Sequence, residues 1–154
     1  MAVYFIDSSA LVKRYISETG SAWVVGLFAP TLNNEVFVAA ITSVEIVAAI
    51  TRRTHGGSIS ATDAATVCNQ FRNDLQTEYQ IIEITENIIT SGMKLAETYG
   101  LRGYDAVQLA AGCAVNALCI ANSLPPIVFV SADNDLNLAA SSKDLIVENP
   151  NKQP

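Results

Sequence analysis

The chain has 154 residues, half of them hydrophobic, with 15 acids, 9 bases and one histidine, for a net charge of −6. That length and apolar content exclude a disordered chain and fit one domain with a sizeable core. The acidic balance argues against a broadly basic nucleic-acid-binding surface, although charge brought by bound cations stands outside the count.

Short apolar runs alternate with longer helical patterns. Residues 3–6, all apolar, predict a first strand, and 10–16 and 21–28 predict helices, with Gly20 as a break and Pro30 as a stop. A second strand is expected at 36–41 and a helix at 42–53, ending in His55-Gly56-Gly57. Residues 60–77 predict a polar-faced helix, 80–84 a third strand, and 85–99 a helix stopped by Gly100. Residues 104–121 are apolar nearly all round and predict a helix buried against the sheet. Pro125-Pro126 leads into a fourth strand at 127–130. A short helix at 133–141 and a last strand at 145–147 follow. The expected domain is 1–148, and the polar tail 149–154 is expected to fray.

This alternation predicts an α/β fold, a three-layer α/β/α sandwich with a mostly parallel central sheet. No apolar run reaches the roughly 18 residues of a membrane span. The nearest, 104–121, is interrupted by Asp105, Gln108 and Asn116. No basic segment followed by an apolar run opens the sequence, so no signal peptide is expected. Cys68, Cys113 and Cys119 are odd in number and widely spaced, and read as buried thiols in a reducing cytoplasm.

Four acids sit where strands or loops give way to helices. Asp7 follows the first strand, Glu45 the second, Asp133 the fourth, and Asp105 opens the buried helix. Each has a simple structural reading. Asp7 and Asp133 suit N-caps, Thr42 with Glu45 suits a capping box, and Asp105 with Gln108 resembles one. Together they suggest more. Parallel strands end on one edge of the sheet, so Asp7, Glu45 and Asp133 should converge there, and ligands bind such edges at topological switch points. Gathered carboxylates repel and raise one another's pKa. Hard divalent ions with oxygen ligands relieve this, and two such ions support in-line displacement at a phosphodiester.

The stretches "YFIDSSALVKRY", "TSVEIVAAITRR", "GLRGYDAVQLAAG" and "VFVSADNDLNLAA" resemble, in order and spacing, the successive motifs of PIN-domain ribonucleases, especially the VapC-like toxins of toxin–antitoxin systems. The resemblance implies a metal-dependent endoribonuclease using Mg²⁺ or Mn²⁺. Its acidic quartet maps onto Asp7, Glu45, Asp105 and Asp133, as catalytic residues and metal ligands. Ser9 and Ser131 match hydroxyl positions beside the acids. Asp135 competes for the fourth place; Asp133 is preferred because it stands three residues before Leu136, leaving Asp135 to solvent or a water. The resemblance further implies an RNA substrate, a homodimer and an antitoxin partner covering the site. A non-catalytic PIN module that binds RNA or protein, or a housekeeping RNA-decay nuclease without antitoxin, is the alternative.

Arg102, next to the Asp105 motif, is the candidate RNA-backbone contact, since phosphates dominate nucleic-acid affinity. Lys13-Arg14 and Arg52-Arg53 read first as solvated faces. Tyr104 is expected to pack rather than stack a base, and His55 to end a helix at the surface. No G-x-S-x-G elbow, Walker loop, G-x-G-x-x-G or zinc-spaced Cys/His set is present.

Overall fold

The computed structural model describes residues 1–153. Among them, five strands form one sheet: β1 (Val3–Ile6), β2 (Glu35–Ala39), β3 (Gln80–Ile82), β4 (Val128–Val130) and β5 (Ile146–Glu148). Their order is β3-β2-β1-β4-β5, and every pairing is parallel. Seven α-helices complete the fold: α1 (Ser8–Tyr15), α2 (Ser21–Gly26), α3 (Thr42–His55), α4 (Ala61–Thr77), α5 (Glu86–Tyr99), α6 (Gly103–Ala121) and α7 (Asn134–Ser142). The α/β sandwich expected from the alternation is therefore present.

The strands are short apolar runs because both faces of the sheet are covered. Side chains alternate across a strand, so one run feeds two cores. Val3, Phe5, Ile127 and Phe129 pack with Ile88 and Leu95 of α5, Leu109 and Val115 of α6, and Leu136 of α7. Ile6, Val36, Val38 and Val130 pack on the other side with Leu11 of α1, Ile46 and Ile50 of α3, and Phe71 of α4.

Helix α6 is long and apolar enough to cross a membrane by composition alone. Its place in the fold accounts for this: Ala106, Leu109, Ala110, Ala111 and Val115 are buried against the sheet. Its polar interruptions have partners. Asn116 Oδ1 accepts the Ile127 backbone N–H at 3.0 Å, fixing the approach to β4. Gly112 faces the stacked rings of Phe5 and Phe129, whose centroids lie 5.5 Å apart. A Cβ there would stand 2.8 Å from the Phe129 ring.

Three expectations are corrected. Thr42 is not an N-cap: Ile41 holds that position without a side-chain bond, Thr42 is buried in the first turn, and Glu45 turns elsewhere. Residues 149–153 do not fray. Pro150–Lys152 form a 3₁₀ turn, Asn149 caps it through the Asn151 N–H, and Pro150 packs so closely on Gly20 that a Cβ there would meet its carbonyl oxygen at 2.3 Å. Pro154 lies outside the described residues. Lys13, Arg14 and Arg53 are not solvated faces. Glu18 pairs with Lys13 at 2.9 Å and Arg53 at 2.8 Å. Arg14 donates to Tyr79 Oη at 2.7 Å, pairs with Glu78 at 2.6 Å, and lies over Phe28.

Alanine in place of an exposed helical glycine ordinarily gains about 1 kcal/mol. At Gly112 the added methyl must displace a buried ring, so Gly112→Ala is expected to lose about 1–3 kcal/mol instead. Urea unfolding of the two proteins measures the sign.

Candidate active site

Strand β1 is paired to β2 on one side and β4 on the other, so the chain reverses its direction of travel across the sheet at the β1/β4 junction. Here the Asp7 N–H donates to the Val130 carbonyl at 3.0 Å, carrying the ladder one residue past the strand. Beyond this bond each segment turns into a helix, α1 from Ser8 and α7 from Asn134. This leaves Asp7 and Ser131 side by side at the carboxyl edge.

Asp7 is only 3% exposed, and both carboxylate oxygens are held. Oδ1 accepts from Ser9 Oγ at 2.7 Å and from the Ala10 N–H at 3.1 Å, and Oδ2 accepts from Ser131 Oγ at 2.9 Å. Asp7 is thus the N-cap of α1 and a wall of a cleft at once. The hydroxyls are fixed in turn: the Ala132 N–H donates to Ser9 Oγ at 2.9 Å and the Asp133 N–H to Ser131 Oγ at 3.1 Å. Burial pushes the Asp7 carboxyl up to about 7, against the pull of these hydrogen bonds, and Asp105 adds to the rise.

Glu45, in the first turn of α3, is held from two other elements. Its Oε1 accepts from Ser8 Oγ at 2.8 Å and from Gln108 Nε2 at 3.0 Å. The same amide donates to Thr42 Oγ1 at 2.8 Å and reaches Ser8 Oγ at 3.1 Å. Gln108 thereby ties α6 to α1 and α3. It is 1% exposed, and among the described residues its Oε1 finds no hydrogen-bond partner.

Asp105 and Asp133 face each other through Arg102. Arg102 Nε donates to Asp105 Oδ2 at 3.1 Å and a terminal nitrogen to Asp133 Oδ2 at 3.3 Å. Asp133 Oδ1 caps α7 through the Leu136 N–H at 2.9 Å. Burial raises the Asp105 pKa, Arg102 offsets the rise, and Asp133 adds to it. Asp135, two residues further on in the first turn of α7, is exposed.

Asp7, Glu45, Asp105 and Asp133 all line one cleft of about 550 Å³, with Ser8, Ser9, Arg52, Arg102, Tyr104 and Gln108 among its walls. A neighbouring cleft of about 680 Å³ shares Arg102, Asp105 and Asp133 and adds Asp135. Tyr104 is 63% exposed at the cleft rather than packed, because α6 presents its first turn outward. His55 is exposed in the last turn of α3, outside the walls of both clefts.

Sequence reasoning missed the grip of Ser8 and Gln108 on Glu45, and the Thr42 hydroxyl that holds the Gln108 amide. The available signal was Gln108 itself, a polar residue one turn after Asp105 on an apolar helix. Arg52 and Arg53 are adjacent in sequence, yet successive helical residues point apart, and of the two Arg52 reaches the cleft.

The chemistry of the donor set suits a hard divalent ion, since every acid offers oxygen. Among the described residues, no hydrogen bond reaches Glu45 Oε2 or Asp105 Oδ1, leaving both able to coordinate. Among the same residues, no three His, Cys, Asp or Glu side chains stand close enough to grip one ion as arranged.

A family model described as "PIN domain" matches residues 4–140. No curated protein matches the sequence. Several solved structures are similar in fold, among them the following three. A toxin-antitoxin complex from Klebsiella pneumoniae shares 17% identity at a TM-score of 0.60, covering 96% of this chain and 97% of that one. PAE2754 from Pyrobaculum aerophilum shares 15% at 0.62, covering 99% and 86%. VapBC2 from Rickettsia felis, bound to a promoter DNA fragment, shares 14% at 0.58, covering 96% and 98%.

The raised Asp7 pKa has a signed consequence for the metal-free protein. The folded chain keeps this proton up to about pH 7, whereas the unfolded chain releases it near the ordinary 3.8. Between those values the folded state binds the extra proton, so stability falls as pH rises, and the loss is complete above about 7. Asp7→Asn removes this contribution. From pH 5 to pH 8 in EDTA the variant should gain on wild type by on the order of 2 kcal/mol in urea unfolding. Parallel pH profiles would show that Asp7 ionises normally.

Proposed function

The chain belongs to the PIN domain family, and from that membership we propose that it is a divalent-metal-dependent endoribonuclease, the toxin of a toxin–antitoxin pair. One observation carries the reading: Asp7, Glu45, Asp105 and Asp133 line a single cleft at the carboxyl edge of the central strands.

Asp7, Asp105 and Asp133 would hold Mg²⁺ or Mn²⁺ once drawn closer together than they stand without it, and Glu45 would hold a second ion or orient water. Such a cation would supply charge for activating water and stabilising the leaving oxygen of an in-line phosphodiester displacement. Ser9 and Ser131 fix the direction of the Asp7 oxygens, and Ser8 with Gln108 fixes that of Glu45. These hydrogen bonds limit the rearrangement needed on binding. Arg52 and Arg102 at the cleft wall supply cations for the RNA backbone, and the exposed Tyr104 ring supplies a surface for a base. Asp135 acts from outside the ligand set.

The toxin assignment is supported by fold likeness, over nearly the whole of both chains, to a toxin-antitoxin complex. It carries with it a homodimer and an antitoxin covering the cleft. Three free thiols, two of them buried, support a cytoplasmic setting. The Arg102 bridge and the absence of a tight acid triad among the described residues favour the second reading, a PIN module without catalysis.

Incubation of a labelled RNA pool with Mg²⁺, Mn²⁺ or EDTA, with end mapping, separates the readings. Cleavage in metal and none in EDTA is expected; no cleavage with either metal would leave the non-catalytic module. Under single-turnover conditions Asp133→Asn should lose at least about a hundredfold in rate, as for removal of a metal ligand. Asp135→Asn should lose less than about tenfold. The reverse ranking would exchange their roles.

A further inference from the structure

We propose that Arg102 is a built-in counter-cation that competes with the divalent ion for Asp105 and Asp133, so that ion entry expels its guanidinium to the cleft mouth. The proposal rests on the metal-nuclease reading of this cleft and adds a role for one residue within it.

The geometry puts one guanidinium on two acids from different helices, Asp105 in the first turn of α6 and Asp133 at the N-cap of α7. Both bonds use the Oδ2 atom, at 3.1 and 3.3 Å. Asp133 Oδ1 is already committed to capping α7, so the oxygen under Arg102 is the one left for any other cation. A metal ion on that oxygen would meet the guanidinium's positive charge at close range, so the two oppose each other there. Without a cation between them the two carboxylates would repel, together with exposed Asp135 nearby.

Arg102 is also built to leave. Its side chain is 82% exposed, and among the described residues its only ion pairs are those two acids. Exposed pairs of this kind are weakly held. A divalent ion brings twice the charge to the same oxygens. Arg102 borders both clefts, so a displaced guanidinium remains beside whatever phosphate occupies either one. Lys13 and Arg53 differ, each being anchored to Glu18 away from the cleft.

Arg52 provides the control. It lines the same cleft and, among the described residues, pairs with no acid. Mn²⁺ binding to the metal-free protein can be followed by the EPR signal of the free ion, without any substrate. Arg102→Gln is expected to bind Mn²⁺ about three- to tenfold more tightly than wild type, the scale of two exposed pairs released. Arg52→Gln, which removes the same charge from the wall, should change affinity by less than about twofold at physiological salt. Unchanged or weaker binding by Arg102→Gln, while wild type binds, overturns the competition and leaves the metal-nuclease reading standing. Equal tightening by both variants also overturns it, since general charge would then suffice. If neither wild type nor Arg102→Gln binds Mn²⁺, the metal reading falls and takes the proposal with it.

Discussion

The parallel pairing of β1 with both β2 and β4 is the constraint from which the rest of the site follows. Parallel strands leave the sheet on one edge, so whatever follows each strand is delivered to a common place. Asp7 emerges from β1 in the middle, Ser131 from β4 on one side, and α3 carries Glu45 in from the other. Only Asp105 arrives by a different route, at the start of α6. Helix α6 is set there by the close approach of Gly112 to the Phe5 and Phe129 rings, residues of the same two central strands. One packing decision in the core therefore fixes the fourth acid relative to the other three.

Four carboxylates in one cleft conflict with each other, and the fold offsets the conflict locally. Asp7 and Asp133 are helix N-caps, and Glu45 and Asp105 lie in first turns, where backbone N–H groups and the helix dipole favour negative charge. Hydroxyls and one amide absorb the lone pairs of Asp7 and Glu45. The offset is incomplete for Asp7, whose burial outweighs its three hydrogen bonds. Capping a helix and facing the cleft are not competing explanations here, because the bonds that begin the helices also hold the acids.

Much of this was legible in the sequence. Apolar runs of strand length between helical patterns gave the sheet and its layers, since residues buried on both faces leave no polar alternation to misread. The acids at the junctions were visible because a charged residue directly after a buried strand stands out. What was not legible involved partners far apart in sequence. The hold on Glu45 joins residues 8, 42, 45 and 108. Thr42 looked like a cap because local spacing allowed it, but tertiary burial placed it under Gln108 instead. Arg14 looked solvated because the aromatic residues around it, Phe28 and Tyr79, come from distant segments. The tail looked frayed because its polar residues show no apolar pattern; beside the Asn149 cap, its anchor is Gly20, which turns with φ of +85° beneath Pro150.

The sheet also ends abruptly. Its two outer strands, β3 and β5, are three residues each, no longer than the inner β4 and shorter than the central β1 and β2, which run to four and five. An edge strand is a template on which a further strand can grow, and its capacity scales with the row of unpaired amides that it offers. Three-residue borders give an incoming strand almost no ladder to extend. The molecule is therefore poorly disposed to strand exchange or fibril-like stacking, despite a centre made of continuous β-branched and aromatic side chains. The stickiest sequence in the chain is sealed by position, between borders too short to propagate it.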